Sequence, residues 1–111
     1  MLLVADDDDA IRESLRVAIE DEGYEVCTAA DGEEALEMMI VDPPCAVLLD
    51  LMMPKMTGWQ VFDRMKADPV LATVPVCIIT AAPEHLPKDA VVILKKPVVL
   101  DDVIDFVVRY C

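Results

Sequence analysis

An α/β fold with a parallel sheet is predicted by the alternation of two kinds of segment along the chain. Short apolar runs recur, and they are separated by segments whose apolar residues return at helical spacing. Strands that alternate with helices in this way form parallel sheets covered by helices on both faces. The hydrophobic fraction of 56% agrees with a sheet buried on both sides. A chain of 111 residues suits one such domain, which we expect to span residues 1–111.

Five apolar runs predict five strands. They are Leu2 to Ala5, Tyr24 to Thr28, Cys45 to Leu49, Val76 to Ile79 and Val91 to Leu94. Five parallel strands of this length suit the flavodoxin-like, doubly wound (βα)5 sandwich with strand order 2-1-3-4-5. In that order the first and third strands are neighbours, so the residues that follow them should meet at the carboxyl edge of the sheet.

Four helices are predicted from apolar residues at helical spacing. These residues are Ile11, Leu15, Ala18 and Ile19 in the first helix, Ala35, Leu36, Met39 and Ile40 in the second, Val61, Phe62 and Met65 in the third, and Leu100, Val103, Ile104, Val107 and Val108 in the last. Gly23 should end the first helix, and Asp31 should cap the second, which Pro43 and Pro44 stop. The third helix should begin near Gly58.

Charge and hydropathy exclude several classes of partner. The formal net charge of −13 argues against direct binding of nucleic acid, whose phosphate backbone requires a basic surface. The same charge fits poorly with an anionic membrane surface. No apolar run approaches the roughly 20 residues of a membrane span. We therefore expect a cytoplasmic protein without nucleic-acid or membrane contacts.

The four cysteines are expected to be reduced thiols. Cys27, Cys45, Cys77 and Cys111 are widely spaced and form no C-x-x-C pair. The first three lie in apolar, strand-like contexts, where free cysteine behaves as a small hydrophobic residue. Disulfides are also rare in the cytosol, so disulfides and metal ligation are the less favoured interpretations.

Three carboxylates are predicted to meet at the carboxyl edge of the sheet. Asp50 follows the third strand, and Asp6 and Asp7 follow the first. Together they form a site of hard oxygen ligands suited to Mg²⁺. Asp8 and Asp9 lie where the first helix begins, so helix capping is the favoured interpretation for these two.

A hydroxyl and an ammonium group should lie on the same edge. Thr80 ends the fourth strand, and Lys96 follows the fifth. A hydroxyl donor and a cation are the groups that stabilise a phosphoryl group with its three charged oxygens. Either residue alone would be unremarkable on a protein surface, but beside Asp50 the pair indicates phosphoryl transfer onto a carboxylate.

The chain resembles the receiver domains of bacterial two-component response regulators. Val4-Ala5-Asp6-Asp7-Asp8, the segment Leu49-Asp50-Leu51-Met52-Met53-Pro54-Lys55-Met56-Thr57-Gly58, Ile78-Ile79-Thr80-Ala81 and Lys95-Lys96-Pro97 occur in the receiver order. The resemblance spans essentially the whole chain. It implies that Asp50 accepts phosphate from a histidine kinase or phosphotransfer protein and signals to a downstream effector.

The resemblance also implies a role for each matching residue. Asp7, Asp50 and the backbone carbonyl of Met52 would hold Mg²⁺, with Asp6 acting through water. Thr80 would bond the phosphoryl group and shift on phosphorylation, and Lys96 would pair with it. The Lys96-Pro97 peptide bond would be cis. In receivers, the residues two beyond the phosphorylated Asp and two beyond the Thr help to place the water that removes phosphate, and here they are the non-polar Met52 and Ala82.

Two departures from the receiver pattern concern the signalling face. Thr80 and Lys96 are 96 − 80 = 16 positions apart, and the intervening segment contains Pro83 and Pro87. We therefore expect the fourth helix of the receiver fold to be shortened or missing. The position that usually carries a switching Tyr or Phe is Ile93. Without these two parts of the usual dimer face, we expect a monomer.

Two other functions remain open from the sequence alone. Asp6-x-Asp8 after the first strand imitates the nucleophile pair of haloacid-dehalogenase-like phosphatases, although that fold is longer and leaves the Asp50 segment unexplained. A receiver-like module that binds partners without phosphorylation is the other alternative. We expect a phosphoacceptor and not a turnover enzyme, either as a stand-alone receiver or as part of a longer protein.

Overall fold

A computed structural model of the chain describes residues 1–81 and 85–111. A parallel five-stranded sheet with strand order β2-β1-β3-β4-β5 is at its centre. The strands are β1 (Leu2–Ala5), β2 (Val26–Ala29), β3 (Ala46–Asp50), β4 (Val76–Thr80) and β5 (Val92–Lys95). The helices are α1 (Asp9–Asp21), α2 (Gly32–Val41), α3 (Gly58–Ala67) and α4 (Leu100–Tyr110), with a 3₁₀ turn at Leu71–Thr73. The predicted fold class and strand order are confirmed.

The sheet is buried on both faces in its central strands. One apolar layer lies under α2 and α3 and includes Leu3, Leu49 and Ile78. The other lies under α1 and α4 and includes Leu48 and Phe106. All residues of β1, β3 and β4 are buried, as the near-continuous apolar sequence of a two-sided parallel sheet requires.

Helix starts follow the local signals in the sequence. Asp8 caps α1, since its carboxylate accepts hydrogen bonds from the backbone N–H groups of Ala10 and Ile11. Asp31 caps α2 through the N–H of Glu34. Thr57 and Gln60 form a reciprocal capping box at α3, which the sequence analysis did not anticipate. The predicted strand ends shift by only one or two residues.

Three residues that were predicted to line apolar helix faces are exposed. They are Ile40, Leu100 and Val108, with exposed fractions of 60%, 46% and 58%. Apolar character at these positions did not by itself distinguish a buried helix position from a solvent-facing one. Those three predictions were wrong.

The segment between β4 and β5 agrees with the predicted shortening of the receiver's fourth helix. Residues 85–91 contain no helix in the structure, and residues 82–84 lie outside the described part of the chain. The last helix, α4, begins at Leu100, shortly after β5 and the Lys96–Pro97 bond. That peptide bond is cis, as predicted.

Two cysteines form a disulfide, so the expectation of four free thiols was wrong. Cys45, which precedes β3, is bonded to Cys111, which follows α4, across a Cα–Cα distance of 5.3 Å. The cysteines are 66 positions apart. They meet because α4 returns antiparallel to the strands and ends beside the start of β3. Cys27 and Cys77 are free, and burial raises the pKa of the Cys77 thiol to about 12.

None of the described helices combines the length and the apolar character that crossing a membrane would require.

Reduction of the Cys45–Cys111 disulfide should lower the free energy of unfolding by about 4 kcal/mol, because the bond closes a loop of 66 residues in the unfolded chain. Urea unfolding with and without a thiol reductant measures the change. The Cys45→Ser/Cys111→Ser variant is the control, and it should match the reduced wild type in both conditions. A wild-type protein that is insensitive to the reductant and equal in stability to the variant would contradict the stabilising bond.

Candidate functional site

Four strands bring the candidate residues to one edge of the sheet. Asp50 is the last residue of β3, and Thr80 is the last residue of β4. Asp6 directly follows β1, and Lys96 directly follows β5. Lys96 N–H also donates to the carbonyl of Thr80 at 2.9 Å, which joins these two strand ends through the backbone. The parallel register therefore places all these residues at the carboxyl edge, as the sequence predicted.

Asp6, Asp7 and Asp50 form a compact carboxylate cluster. One carboxylate oxygen from each residue lies within 4.8 Å of the others. Asp6 and Asp50 are almost fully buried, with exposed fractions of 1% and 3%, whereas Asp7 is exposed. The cluster is thus buried at Asp6 and Asp50 and open to solvent at Asp7, which is the arrangement a site needs to admit a ligand.

Lys96 supplies positive charge at the floor of the cluster. Its Nζ lies 3.0 Å from Asp6 Oδ2 and 3.3 Å from Asp50 Oδ2. Partial burial lowers the pKa of Lys96, but its interactions with Asp6 and Asp50 outweigh this effect and leave the pKa raised. Lys96 is therefore a permanent cation at physiological pH.

Asp50 is an unusually basic carboxylate. Its burial raises the pKa to about 6, and the negative charge of Asp6 adds to this effect. The backbone N–H of Met52, which donates to Asp50 Oδ1 at 3.2 Å, and the ammonium of Lys96 act in the opposite direction. At neutral pH the carboxylate is ionised, but it holds its proton far more readily than an exposed Asp does.

Gly58 allows the loop after Asp50 to close against the site. A Cβ at this position would lie 2.3 Å from the backbone oxygen of Asp50, closer than any real contact. Gly58 N–H donates to the Leu51 carbonyl at 2.9 Å, so α3 begins directly on the backbone that carries Asp50. Only glycine permits this approach.

The donor set fits a hard divalent cation. Three carboxylates from two neighbouring strand ends converge, and carboxylate oxygens are the ligands that Mg²⁺ prefers. Among the described residues, Asp6 Oδ2 is a buried oxygen without a partner in hydrogen-bond geometry, although Lys96 lies at ion-pair distance. A buried acceptor of this kind is costly unless a further donor, water or cation satisfies it.

The structure thus brings together Asp6, Asp7, Asp50 and Lys96. Thr80 is fully buried at the same edge. Met52 reaches Asp50 through its N–H, and its carbonyl as a metal ligand stays a prediction. Ala82 lies outside the described residues.

Arg12 was missed by the sequence analysis. Its guanidinium Nη1 donates to the backbone carbonyl of Asp6 at 2.8 Å, and Nη2 pairs with the carboxylate of Asp9. One signal was available, since Arg12 is the first basic residue after the acidic run and lies on the first turn of the helix that this run begins.

Comparison with known proteins identifies the family. The family model of the response regulator receiver domain matches residues 2–107. The chain belongs to the response regulator receiver family. It is thus a receiver module of two-component signal transduction, and the phosphatase alternative is not favoured.

Curated relatives support the assignment. The receiver is 42% identical over 80 residues to the response regulator MprA of Mycolicibacterium vanbaalenii and 44% identical over 80 residues to MprA of Mycobacterium ulcerans. Each match covers 72% of this chain but only 34% of the relative. The chain therefore spans about a third of the length of these curated relatives.

Solved structures are similar over nearly the whole receiver. The receiver domain of the Francisella response regulator 1452 has a TM-score of 0.90 and 27% identity, and the match covers 98% of this chain and 93% of that one. The chemotaxis protein CheY4 of Vibrio cholerae has a TM-score of 0.86 and 28% identity, covering 99% and 97% of the two chains.

The raised pKa of Asp50 should make the stability of the metal-free receiver depend on pH. The pKa is 3.8 for an ordinary Asp and about 6 here, so the folded state binds this proton more tightly. The resulting stabilisation is complete below the unfolded-state pKa and is lost as the pH rises through about 6. Relative to Asp50→Asn, wild type should therefore gain about 2 kcal/mol between about pH 7 and about pH 4.

Urea unfolding in the presence of a chelator measures the free energy of unfolding of wild type and of Asp50→Asn at each pH. In the difference between the two proteins, the contributions of all other titrating groups cancel. The matched control is Asp8→Asn, which changes an exposed carboxylate but keeps a capping side chain, and its stability should follow that of wild type over the same pH range. Parallel pH curves for wild type and Asp50→Asn would show that Asp50 has an ordinary pKa.

Proposed function

We propose that Asp50 is the phosphoacceptor of this receiver. The observation that carries the proposal is a buried, strand-end carboxylate that lies beside two further carboxylates and 3.3 Å from an ammonium group. With a pKa of about 6, the carboxylate is mostly ionised at neutral pH and can act as a nucleophile. We further propose that residues 1–111 are one receiver domain.

The reaction is the transfer of a phosphoryl group from a phosphohistidine donor. A carboxylate oxygen of Asp50 forms a bond to phosphorus while the bond between phosphorus and the imidazole nitrogen breaks. The nitrogen keeps the electron pair of that bond and takes up a proton. The products are an aspartyl phosphate and a neutral histidine on the donor protein.

Mg²⁺ would be held by Asp7, Asp50 and the Met52 carbonyl, with Asp6 acting through water. When bound, the ion supplies positive charge for the phosphoryl oxygens. The convergence of the three carboxylates supports this ligand set. Asp6 Oδ2 also supports it, because this buried oxygen has the Lys96 ion pair but no hydrogen bond among the described residues.

Lys96 and Thr80 are proposed to recognise the phosphoryl group. Lys96 already lies between Asp6 and Asp50, so its ammonium can pair with a phosphoryl oxygen after transfer. Thr80 ends the neighbouring strand and supplies a hydroxyl donor. Together these two groups stabilise the negative charge of the phosphoryl oxygens, which the carboxylate of Asp6 would otherwise repel.

The proposed partners follow from the family. The donor is a sensor histidine kinase or a phosphotransfer protein, and a downstream effector reads the phosphorylated state. We propose that the receiver acts in the cytoplasm, as the family resemblance implies, although a disulfide such as Cys45–Cys111 is uncommon there. We propose a monomer because the position of the usual aromatic residue is Ile93 and residues 85–91 contain no helix. Receivers are phosphoacceptors that are generally not classed as enzymes, and we propose the same here.

Incubation with acetyl phosphate and Mg²⁺ should add one phosphate to wild type and none to Asp50→Asn. The reason is that the Asp50 carboxylate combines a raised pKa with a position beside the Lys96 ammonium and the other two carboxylates. Intact-mass measurement detects the adduct. Asp8→Asn is the matched control, since it removes a nearby carboxylate that only caps α1, and it should label like wild type. An adduct that persists in Asp50→Asn would assign the phosphate to another residue.

The aspartyl phosphate should be long-lived, because Met52 offers no strong hydrogen-bonding group to an attacking water. The Met52 side chain is 56% exposed beside Asp50, so a polar replacement can reach that water without disturbing the core. Met52→Asn, alone or with Ala82→Glu, should speed the loss of the adduct several-fold after the phosphodonor is removed. Intact mass over time measures the loss.

Met52→Leu serves as the control for this experiment. It changes the same exposed side chain but adds no polar group, so the lifetime of the adduct should stay near that of wild type. Equal lifetimes in wild type, Met52→Asn and the double variant would contradict this account of phosphate loss.

A further inference from the structure

Arg12 reaches back from the first turn of α1 into the acidic loop that it follows. Nη1 donates to the backbone carbonyl of Asp6 at 2.8 Å, and Nη2 pairs with Asp9. The side chain is only 19% exposed, although it lies on a helix surface. Arg16, one turn later, differs because it pairs with Glu13 and Glu20 on the exposed side of the same helix.

The carbonyl that Arg12 contacts belongs to the peptide unit between Asp6 and Asp7. Asp6 is held on other sides, because its N–H donates to Ala29 and its carboxylate accepts from the N–H of Asp8. Within residues 1–81 and 85–111, no side-chain hydrogen bond or ion pair holds the exposed carboxylate of Asp7. That carboxylate therefore has no side-chain partner to orient it, and it projects from a backbone whose course depends on the preceding Asp6–Asp7 peptide plane.

We propose that Arg12 is a positioning residue for the divalent-cation site, and that it acts by fixing the Asp6–Asp7 peptide plane so that Asp7 faces Asp50. This inference rests on the proposed Mg²⁺ site. The planar guanidinium suits the task, since it can contact the Asp6 carbonyl and the Asp9 carboxylate at the same time. A lysine ammonium has the same charge but lacks this two-point geometry.

Charge and geometry predict opposite effects when Arg12 is replaced. A positive charge beside the carboxylates repels a divalent cation, so loss of the charge alone would tighten Mg²⁺ binding. Loss of the contact with the Asp6 carbonyl would weaken Mg²⁺ binding, because the Asp6–Asp7 peptide plane could then rotate and move the Asp7 carboxylate away from Asp50. The sign of the change in affinity therefore separates the two effects.

Calorimetric titration of the complete chain with Mg²⁺ tests the proposal. Arg12→Lys and Arg12→Gln should both weaken binding by about 10-fold, the low end of the range seen when residues that support metal ligands are replaced. Arg16→Lys and Arg16→Gln are the matched controls. They make the same changes one helical turn away and should bind Mg²⁺ like wild type. Asp7→Ala should remove binding at this site.

A second measurement separates positioning from a loss of folding. Thermal unfolding without metal shows whether each variant folds, and phosphate labelling is then followed at increasing Mg²⁺ concentration. In the Arg12 variants the half-saturating Mg²⁺ concentration should rise about 10-fold, while the rate at saturation changes much less. A merely destabilised protein would lose the rate at every Mg²⁺ concentration.

The outcomes distinguish this inference from the proposed site. If either Arg12 variant binds Mg²⁺ as tightly as wild type or more tightly, while Asp7→Ala does not bind, the positioning role of Arg12 is overturned and the metal site stands. If wild type itself shows no Mg²⁺ binding, the proposed metal site is overturned, and the role of Arg12 is overturned with it. Weaker binding in both Arg12 variants, with unchanged Arg16 controls, supports the proposal.

Discussion

Electrostatic repulsion among Asp6, Asp7 and Asp50 is the constraint on which the rest of this structure depends. Three carboxylates within 4.8 Å are unfavourable unless charge is supplied nearby, and Lys96 approaches two of them from the end of β5. The parallel sheet holds these groups together, because its apolar layers fix the strand ends from which they project. Burial, together with repulsion from Asp6, raises the pKa of Asp50. The same crowding of negative charge favours the binding of a cation, whereas Lys96 supplies the positive charge that a phosphoryl group needs.

Backbone contacts around Asp50 keep this unfavourable arrangement in place. Gly58 lets α3 begin against the carbonyl of Asp50, and a side chain there would force the two segments apart. Gly32, at the start of α2, does the same for the loop after Asp50, since a Cβ would lie 1.9 Å from the Met56 oxygen. The loop between Asp50 and Gly58 is thus in close backbone contact with the start of both α2 and α3.

Most of the fold could be predicted from the sequence because its signals are local. The same is true of four site residues, namely Asp6, Asp7, Asp50 and Lys96. Apolar runs mark the strands, and a polar residue at the end of a buried strand has a known place in a parallel sheet. The disulfide was not accessible, because Cys45 and Cys111 meet only through the packing of α4. Arg12 was missed although its place after the acidic run was a signal, because its partner is a backbone carbonyl that the sequence does not identify. Contacts that involve main-chain atoms or distant segments become visible only after the chain is folded.

The region between β4 and β5 shows how the fold accommodates a shortened or missing fourth helix, since residues 85–91 contain none. Ile78 and Ile93 are paired neighbours on the same face of the sheet, yet Ile78 is fully buried and Ile93 is 39% exposed. This face of the sheet is therefore less protected from solvent at β5 than at β4, and β5 is where the fourth helix of a receiver would otherwise pack.

Residues 85–90 supply part of that cover by packing Leu86 and Ala90 against the apolar layer beneath α3. Trp59 Nε1–H donates to the His85 carbonyl at 2.7 Å, and Lys66 pairs with Asp89 at 2.5 Å. Both anchoring side chains belong to α3, so this segment depends for its position on the helix that begins against Asp50. Residues 85–90 are thereby connected through α3 to the backbone of Asp50, the proposed phosphoacceptor.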